Sequence, residues 1–419
     1  MNASARHSDV LILGGGVIGL ACALYLLRAG RGVTVIEKSR TGGATSHGNC
    51  GTITPSHAVP LAMPGMIGQG LRWLLKPDAP FRIAPRLDFA LFEWLLQFAQ
   101  RCNWNDFKRI AAEKAPLLKL SRQALEELIA GERLDCQFET VGTLNVYRDG
   151  RAFEYSRWLP EALRALDLPI ETLDGAQCRA REPALNDSII GGYFNAHDAH
   201  LRPDRYLAEL ARAVRARGGV IHEQTTISGF RRSGRIDAVL TDHGEFSGDE
   251  VLFALGSWTP LLARQLDLRI PIQPGKGYSI TYTRPSICPR IPLALKERAV
   301  CVTGWPTGYR LGSTMEFAGY DESLNRTRLD ALKRGAAEYL HEPEGPEVVE
   351  EWYGWRPMTY DDLPILGRVS RVQNLTLATG HGMLGVTMSA ATGLLIADVI
   401  CGRAPSIDAA AFSPKRFNL

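Results

Sequence analysis

Three glycines, Gly14, Gly16 and Gly19, stand in G-x-G-x-x-G spacing between an apolar run, Val10 to Leu13, and a helical stretch, Val17 to Ala29, that Gly30 closes. The β-branched run Gly32 to Glu37 follows and ends on an acid. This pattern can bind a dinucleotide. The first glycine permits a tight turn, the second lets a pyrophosphate approach the backbone, and the third lets helix and sheet pack closely. The helix N-terminus attracts phosphate charge. Glu37 accepts both ribose hydroxyls and repels the extra phosphate of NADP. The plainer alternative is a glycine turn in an unrelated α/β fold. The strand, the helix and the acid in sequence favour the nucleotide.

A second match, Gly380, Gly382 and Gly385, follows the strand-like Leu375 to Thr379 and opens a helix from about Gly385 to Cys401. An NAD site would need another strand with an acidic end, and none follows. A helix N-terminus rich in glycine amides suits the pyrimidine end of a flavin instead. That end becomes negative on reduction, and the helix dipole stabilises it. One nucleotide motif near each end of the chain predicts a single FAD shared between them.

The elements that must position these residues are legible as patterns. A chain of 419 residues predicts two domains. From 39 to 60 the chain is loop-like. Residues 61 to 135 turn aromatic and helical, with a second helical stretch at 113 to 130. Phe138 to Tyr147 reads as strand, and 151 to 182 as helix with loops. Pro203 to Arg217 reads as a helix, followed by strands at 220–222, 227–231, 236–241 and 251–255. A β-rich section runs from Ile270 to Met315, and Asp321 to His341 reads as helical. The uncharged run Val10 to Leu27 mimics a membrane span, but Gly14, Gly15 and Gly16 interrupt it.

Composition excludes several classes. The formal net charge is +3, with 45% hydrophobic and 22% charged residues, so no nucleic-acid partner is expected. The eight cysteines form no C-x-x-C pair, which argues against zinc or iron–sulfur sites and suits free thiols in a reducing cytoplasm. No metal is expected. The aromatic stretch from Trp73 to Trp104 also carries Arg72, Lys76, Arg82 and Arg86. It reads either as a helical core or as a membrane-surface or partner-binding face.

Longer stretches resemble a known family. VLILGGGVIGLACALYLLRAG with VTVIEK, TSHGNCGTITPSHAVPLAMPG at 45 to 65, ALGSW at 254 to 258 and PIQPGKGYSITY at 271 to 282 are similar to the D-amino acid dehydrogenases. So are LGSTMEFAGYD at 311 to 321, GWRPMTYDDLPILG at 354 to 367 and the ending LATGHGMLGVTMSAATGLLIADVICGR. The wider group holds D-amino acid oxidase, glycine oxidase and sarcosine oxidase. The resemblance implies an α/β (α+β overall) fold. A Rossmann-like FAD domain would use 1–60, 195–265 and 350–419, and a discontinuous antiparallel-sheet substrate domain 61–194 and 266–349. It implies FAD contacts at Gly14, Gly16, Val17, Ile18 and Gly19, then at Glu37 and Lys38. Further contacts fall at Thr45, Ser46, Asn49, Gly51 and Thr52, and at Gly256 and Trp258. The last group is Gly382, Met383, Leu384, Gly385, Val386 and Thr387. Sarcosine oxidases carry an attachment cysteine just past the segment matching Trp355 to Met358, where this chain has none, so the FAD is expected to be non-covalent.

In the resemblance, the arginine of the Gly-x-Arg-Pro segment, here Arg356, binds the substrate carboxylate. A guanidinium offers a bidentate fork for a planar carboxylate. The alternative is a structural salt bridge to Asp361 or Asp362. His47 and His57 in the flavin-proximal loop either shape the pocket and accept a proton or simply bond to backbone. Tyr278 is a pocket or a core residue, and His381 matters through its backbone more than its ring. The activity implied is oxidative deamination of a D-amino acid, with electrons passed to a quinone or respiratory partner at a membrane surface reached peripherally. The loop His47-Gly48-Asn49-Cys50-Gly51 departs from the family's common Phe-Ala-Asn-Ala-Gly-like stretch. That departure opens cyclic or secondary amine acids, such as D-hydroxyproline, D-proline, sarcosine or glycine, as substrates. A flavin-bearing scaffold subunit is the alternative of another class.

Overall fold

The computed structural model describes residues 6–76 and 78–419. Val10–Leu13 is fully buried, the end of a strand spanning Arg6–Leu13. It pairs in parallel with Val33–Ile36 on one side and Gly244–Phe253 on the other, and Leu375–Thr379 extends the parallel set beyond Gly244–Phe253. Continuous apolar runs are what a parallel sheet covered on both faces requires. The covering helix Val17–Arg28 is buried on nearly every side, because Gly385–Cys401 packs against it. Gly385–Cys401 also packs on the long helix Trp104–Glu132.

A second, mostly antiparallel sheet places its strands in the order Val348–Thr359, Ile272–Tyr282, Gly308–Phe317, Val300–Trp305, Leu293–Leu295, Thr143–Tyr147, Gly191–Asn195, Glu171–Asp174. The strands of the first sheet fall within 1–60, 195–265 and 350–419. The strand Val348–Thr359 does not follow that division. It is hydrogen-bonded along its whole length to Ile272–Tyr282, so the segment carrying Arg356 is part of the second sheet.

Two helices differ from their expected bounds. The helix expected at 113 starts at Trp104, because the Asn103 side chain accepts from the amides of Asn105 and Asp106 and caps it there. The helix expected from Asp321 starts only at Arg326. Asp321 is committed elsewhere, accepting from Lys276 Nζ at 2.8 Å and from the Ser323 hydroxyl at 2.8 Å. In the aromatic stretch both readings find residues: Leu91 and Trp94 are buried with Phe317 and Met358, whereas Leu75, Leu87 and Phe89 face solvent.

Candidate active site

Between the sheets lies a cavity of about 1650 Å³. At one end the chain turns through Gly14 (φ 107°) into the helix at Val17. A Cβ on Gly19 would stand 1.9 Å from the Gly14 carbonyl oxygen, so only glycine lets helix and turn close this far. The Glu37 carboxylate accepts from the Gly15 amide at 2.8 Å, the Ser39 amide at 2.9 Å and the Ser39 hydroxyl at 3.0 Å, with a lone pair left over on Oε2. No side chain caps the helix start, and the Val17 amide reaches only the Ser46 hydroxyl, at 3.3 Å. The first-turn amides are therefore available to an anion.

At the other end two segments converge on one carbonyl. The hydroxyls of Thr45 and Ser257 both donate to the Trp355 carbonyl at 2.8 Å. Trp258 packs edge to face on the Trp355 ring, 5.4 Å between centroids. The next residue is Arg356, and the carbonyl after it, Pro357 O, accepts from the Gly382 amide at 3.1 Å. The carbonyls of the residues on either side of Arg356 are thus pinned by the 45–46 loop, the 254–258 turn and the C-terminal glycine turn. Ser257 carries half of this clamp, and the sequence offered only its place in ALGSW as a signal.

Arg356 itself reaches over Gly277, where a Cβ would meet the guanidinium at 2.3 Å. It donates from Nη1 to the Thr314 carbonyl at 2.7 Å. Thr314 stands at φ 56°, a left-handed conformation that a β-branched residue rarely adopts. Neither acid proposed as a salt-bridge partner is available. Asp361 accepts from Arg416 at 2.8 Å, and Asp362 pairs with Lys114 at 2.6 Å. Burial pulls the Arg356 pKa below its ordinary value, opposed only by the nearby thiols of Cys50 and Cys301. Among the described residues no carboxylate pairs with this cation, and a buried cation facing a cavity favours an anionic ligand.

Most of the expected cofactor residues line this cavity: Gly14, Gly16, Val17, Ile18, Glu37 and Lys38 at one end, then Thr45, Ser46, Asn49 and Thr52. Gly256, Trp258, Gly382, Met383, Leu384, Gly385 and Val386 complete the wall. Gly19, Gly51 and Thr387 support it from behind. The Gly51 amide bonds Asn49 Oδ1 at 2.7 Å, and the Thr387 hydroxyl donates to the Thr52 carbonyl at 3.1 Å. His57 lines the cavity, and burial, then Lys296, then Lys114 hold its pKa down to about 4. Tyr278 borders the cavity, but its hydroxyl is tied to Glu316 at 2.7 Å and its ring is core.

His47 does not reach the cavity. Its ring bonds Glu350 at 2.9 Å, because buried Arg310 grips the carbonyls of His47 and Asn49 and turns the loop outward there. The His381 ring is buried against the Thr392 hydroxyl at 3.0 Å. Thr54, Thr314 and Trp355 each present to this region a buried polar atom with no partner among the described residues. Two uncapped helix starts, a ribose-ready acid and these orphaned polar atoms fit a flavin dinucleotide.

The family model of the DAO FAD-dependent oxidoreductases matches residues 9–399. The chain belongs to that family. Among DAO relatives it is 35% identical to a D-amino acid dehydrogenase of Xanthobacter autotrophicus over 97% of this chain and 99% of that one. It is 36% identical to a D-amino acid dehydrogenase of Methylobacterium radiotolerans, covering 95% and 97%. Glycine oxidase from Geobacillus kaustophilus superposes with a TM-score of 0.80 at 22% identity, covering 98% of each chain. L-proline dehydrogenase from P. horikoshii does so at 0.73 and 18%, covering 99% and 98%. The DAO fold is therefore shared even where side chains have diverged. FAD is the cofactor of this family, and the chain is an FAD-dependent oxidoreductase.

Proposed function

We propose that the protein oxidises a D-amino acid whose carboxylate is held by Arg356. The observation carrying this reading is the unpaired guanidinium above Gly277, fixed by the Trp355 and Pro357 carbonyl clamps and facing the FAD cavity. The similarity to D-amino acid dehydrogenases supports the choice of substrate class. FAD, bound non-covalently, would supply the hydride acceptor that takes the amine to an imine, which water would hydrolyse to a 2-oxo acid and ammonia. Glu37 holds the ribose, and the Val17 helix start holds the pyrophosphate. The Gly382–Val386 turn faces the flavin ring. Arg356 fixes the substrate's orientation, which is the protein's main contribution to rate. An amine that enters neutral needs no side chain as base. In this reading the FAD domain is 1–60, 195–265 and 350–419, with the Arg356 strand lent to the sheet of the substrate domain.

Electrons then leave to a quinone or respiratory partner at a membrane surface. The amphipathic helix Met66–Leu74 and the helix Phe89–Gln100 support this. Ile67, Leu71, Leu74, Phe92 and Leu96 give the cavity an apolar mouth, and Leu75, Leu87 and Phe89 stand exposed beside it. No helix among the described residues is long and apolar enough to cross a membrane, so the association would be peripheral.

Anaerobic mixing with a panel of D- and L-amino acids, prolines, glycine and sarcosine tests the reading. D-Amino acids should bleach the flavin. Bleaching confined to L-amino acids, or to sarcosine and glycine, would overturn the substrate assignment.

A further inference from the structure

A second cation faces the same cavity. Lys296 follows the strand Leu293–Leu295, and its amide donates to the Val146 carbonyl at 3.2 Å. Its neighbour Glu297 is already engaged, accepting from the amides of Arg148 and Asp149 at 3.0 Å and from the Tyr339 hydroxyl. Among the described residues no carboxylate pairs with Lys296.

Register fixes where this lysine stands relative to Arg356. Leu295 pairs with Val300, and Val300 pairs with Ser313. One step further along, Lys296 is level with Thr314, whose carbonyl holds the Arg356 guanidinium. Two strand spacings separate their backbones, roughly 10 Å. A flexible four-carbon stem shortens that gap. Two more polar groups face the cavity here. Asn145 projects from the strand beside Ala294 and lines it. His57, in the short turn Pro55–Ala58 that follows Thr52–Ile53, lines the same cavity.

We infer that Lys296, with Asn145 and His57, forms a second anchor for an oxygen on the substrate's side chain, a carboxylate or a hydroxyl, while Arg356 holds the α-carboxylate. The ammonium donates to either oxygen. A carboxylate gains its charge as well, and a hydroxyl gains a neutral imidazole as acceptor for its own proton. The enzyme would then select amino acids with oxygen-bearing side chains over apolar ones of equal length. The inference rests on Arg356 as the α-carboxylate site.

The test is a titration of the FAD-loaded protein with valerate, 5-hydroxyvalerate and glutarate, followed by the change in the flavin spectrum. Wild type should bind at least one of the two oxygen-bearing acids 10-fold or more tighter than valerate, and the tighter one identifies the preferred oxygen. Lys296→Met should erase that preference, and Lys296→Arg should retain it. Equal binding of all three acids by wild type would overturn the inference, as would a uniform weakening of all three in Lys296→Met. Arg356→Gln separates the two ideas. It should weaken all three acids together, and undiminished valerate binding in that variant would remove Arg356 from the carboxylate site.

Discussion

At the scale of single residues, Arg356 and Glu37 occupy opposite ends of one cavity and should fail differently. Arg356→Ala should keep FAD bound and lower kcat/KM, because a charge-assisted bidentate contact is lost. The expected loss is about 3–5 kcal/mol of transition-state stabilisation. Normal kinetics in that variant would place the carboxylate elsewhere. Glu37→Ala should instead weaken FAD binding by about 1.5–3 kcal/mol, the scale of hydrogen bonds to a charged acceptor. Equilibrium titration of apoprotein with FAD checks this, and an unchanged affinity would take Glu37 out of the site. Spacing after the glycine motif singled out Glu37, and the family resemblance singled out Arg356. They could not announce that Arg356 lacks an acidic partner, since Asp361 and Asp362 are engaged by Arg416 and Lys114 from distant parts of the chain. Nor could they show that His47 is spent on Glu350 or the Tyr278 hydroxyl on Glu316.

At the scale of elements, the C-terminal glycine turn is tied to its helix by a buried imidazole. Burial lowers the His381 pKa to about 3, and that of His200, another buried histidine, to about 4. The unfolded imidazole titrates near 6.5. Their neutral forms thus contribute stability that is complete above 6.5 and is lost as pH falls from there toward 4 and 3. At pH 5 the loss is about 2 kcal/mol for each. Asp198 works in the opposite direction. Burial raises its pKa to about 6, so it regains about 1 kcal/mol over the same range. Denaturation midpoints at saturating FAD should fall on acidification from pH 7.5 to 5, and less steeply for His381→Gln. Parallel curves for wild type and variant would rule out this source of acid sensitivity. The elements themselves were largely readable, because apolar runs and glycine stops mark them locally. Where bounds were misplaced, at Trp104 and Arg326, the cause was a cap or a long-range ion pair. The convergence of Thr45 and Ser257 on one carbonyl joins segments that share no local pattern.

At the scale of the whole molecule, Ile67, Leu71, Leu74, Phe92 and Leu96 are exposed and line the cavity, and Leu75, Leu87 and Phe89 are exposed close to them in the chain. If these residues meet a membrane, Leu75→Ser, Leu87→Ser and Phe89→Ser combined should release the protein from anionic vesicles in a sedimentation assay. Reduction of a small soluble dye should continue. Vesicle binding equal to wild type would place the contact elsewhere. The substrate-reduced enzyme should also reoxidise slowly in air and quickly with a short-chain quinone. Stopped-flow reoxidation by oxygen at the turnover rate would make it an oxidase.

The packing of Val17–Arg28 against Gly385–Cys401 bears on how the protein is born. The helix Val17–Arg28, apolar on almost every face, leaves the ribosome long before the helix that covers it. The two pack together across most of the intervening sequence. At ordinary elongation rates the wait is on the order of tens of seconds. Through that interval the nascent chain carries a completed strand-turn-helix whose flavin-side partner does not yet exist. The cavity wall at Gly382–Val386 is complete only once that later helix has been made.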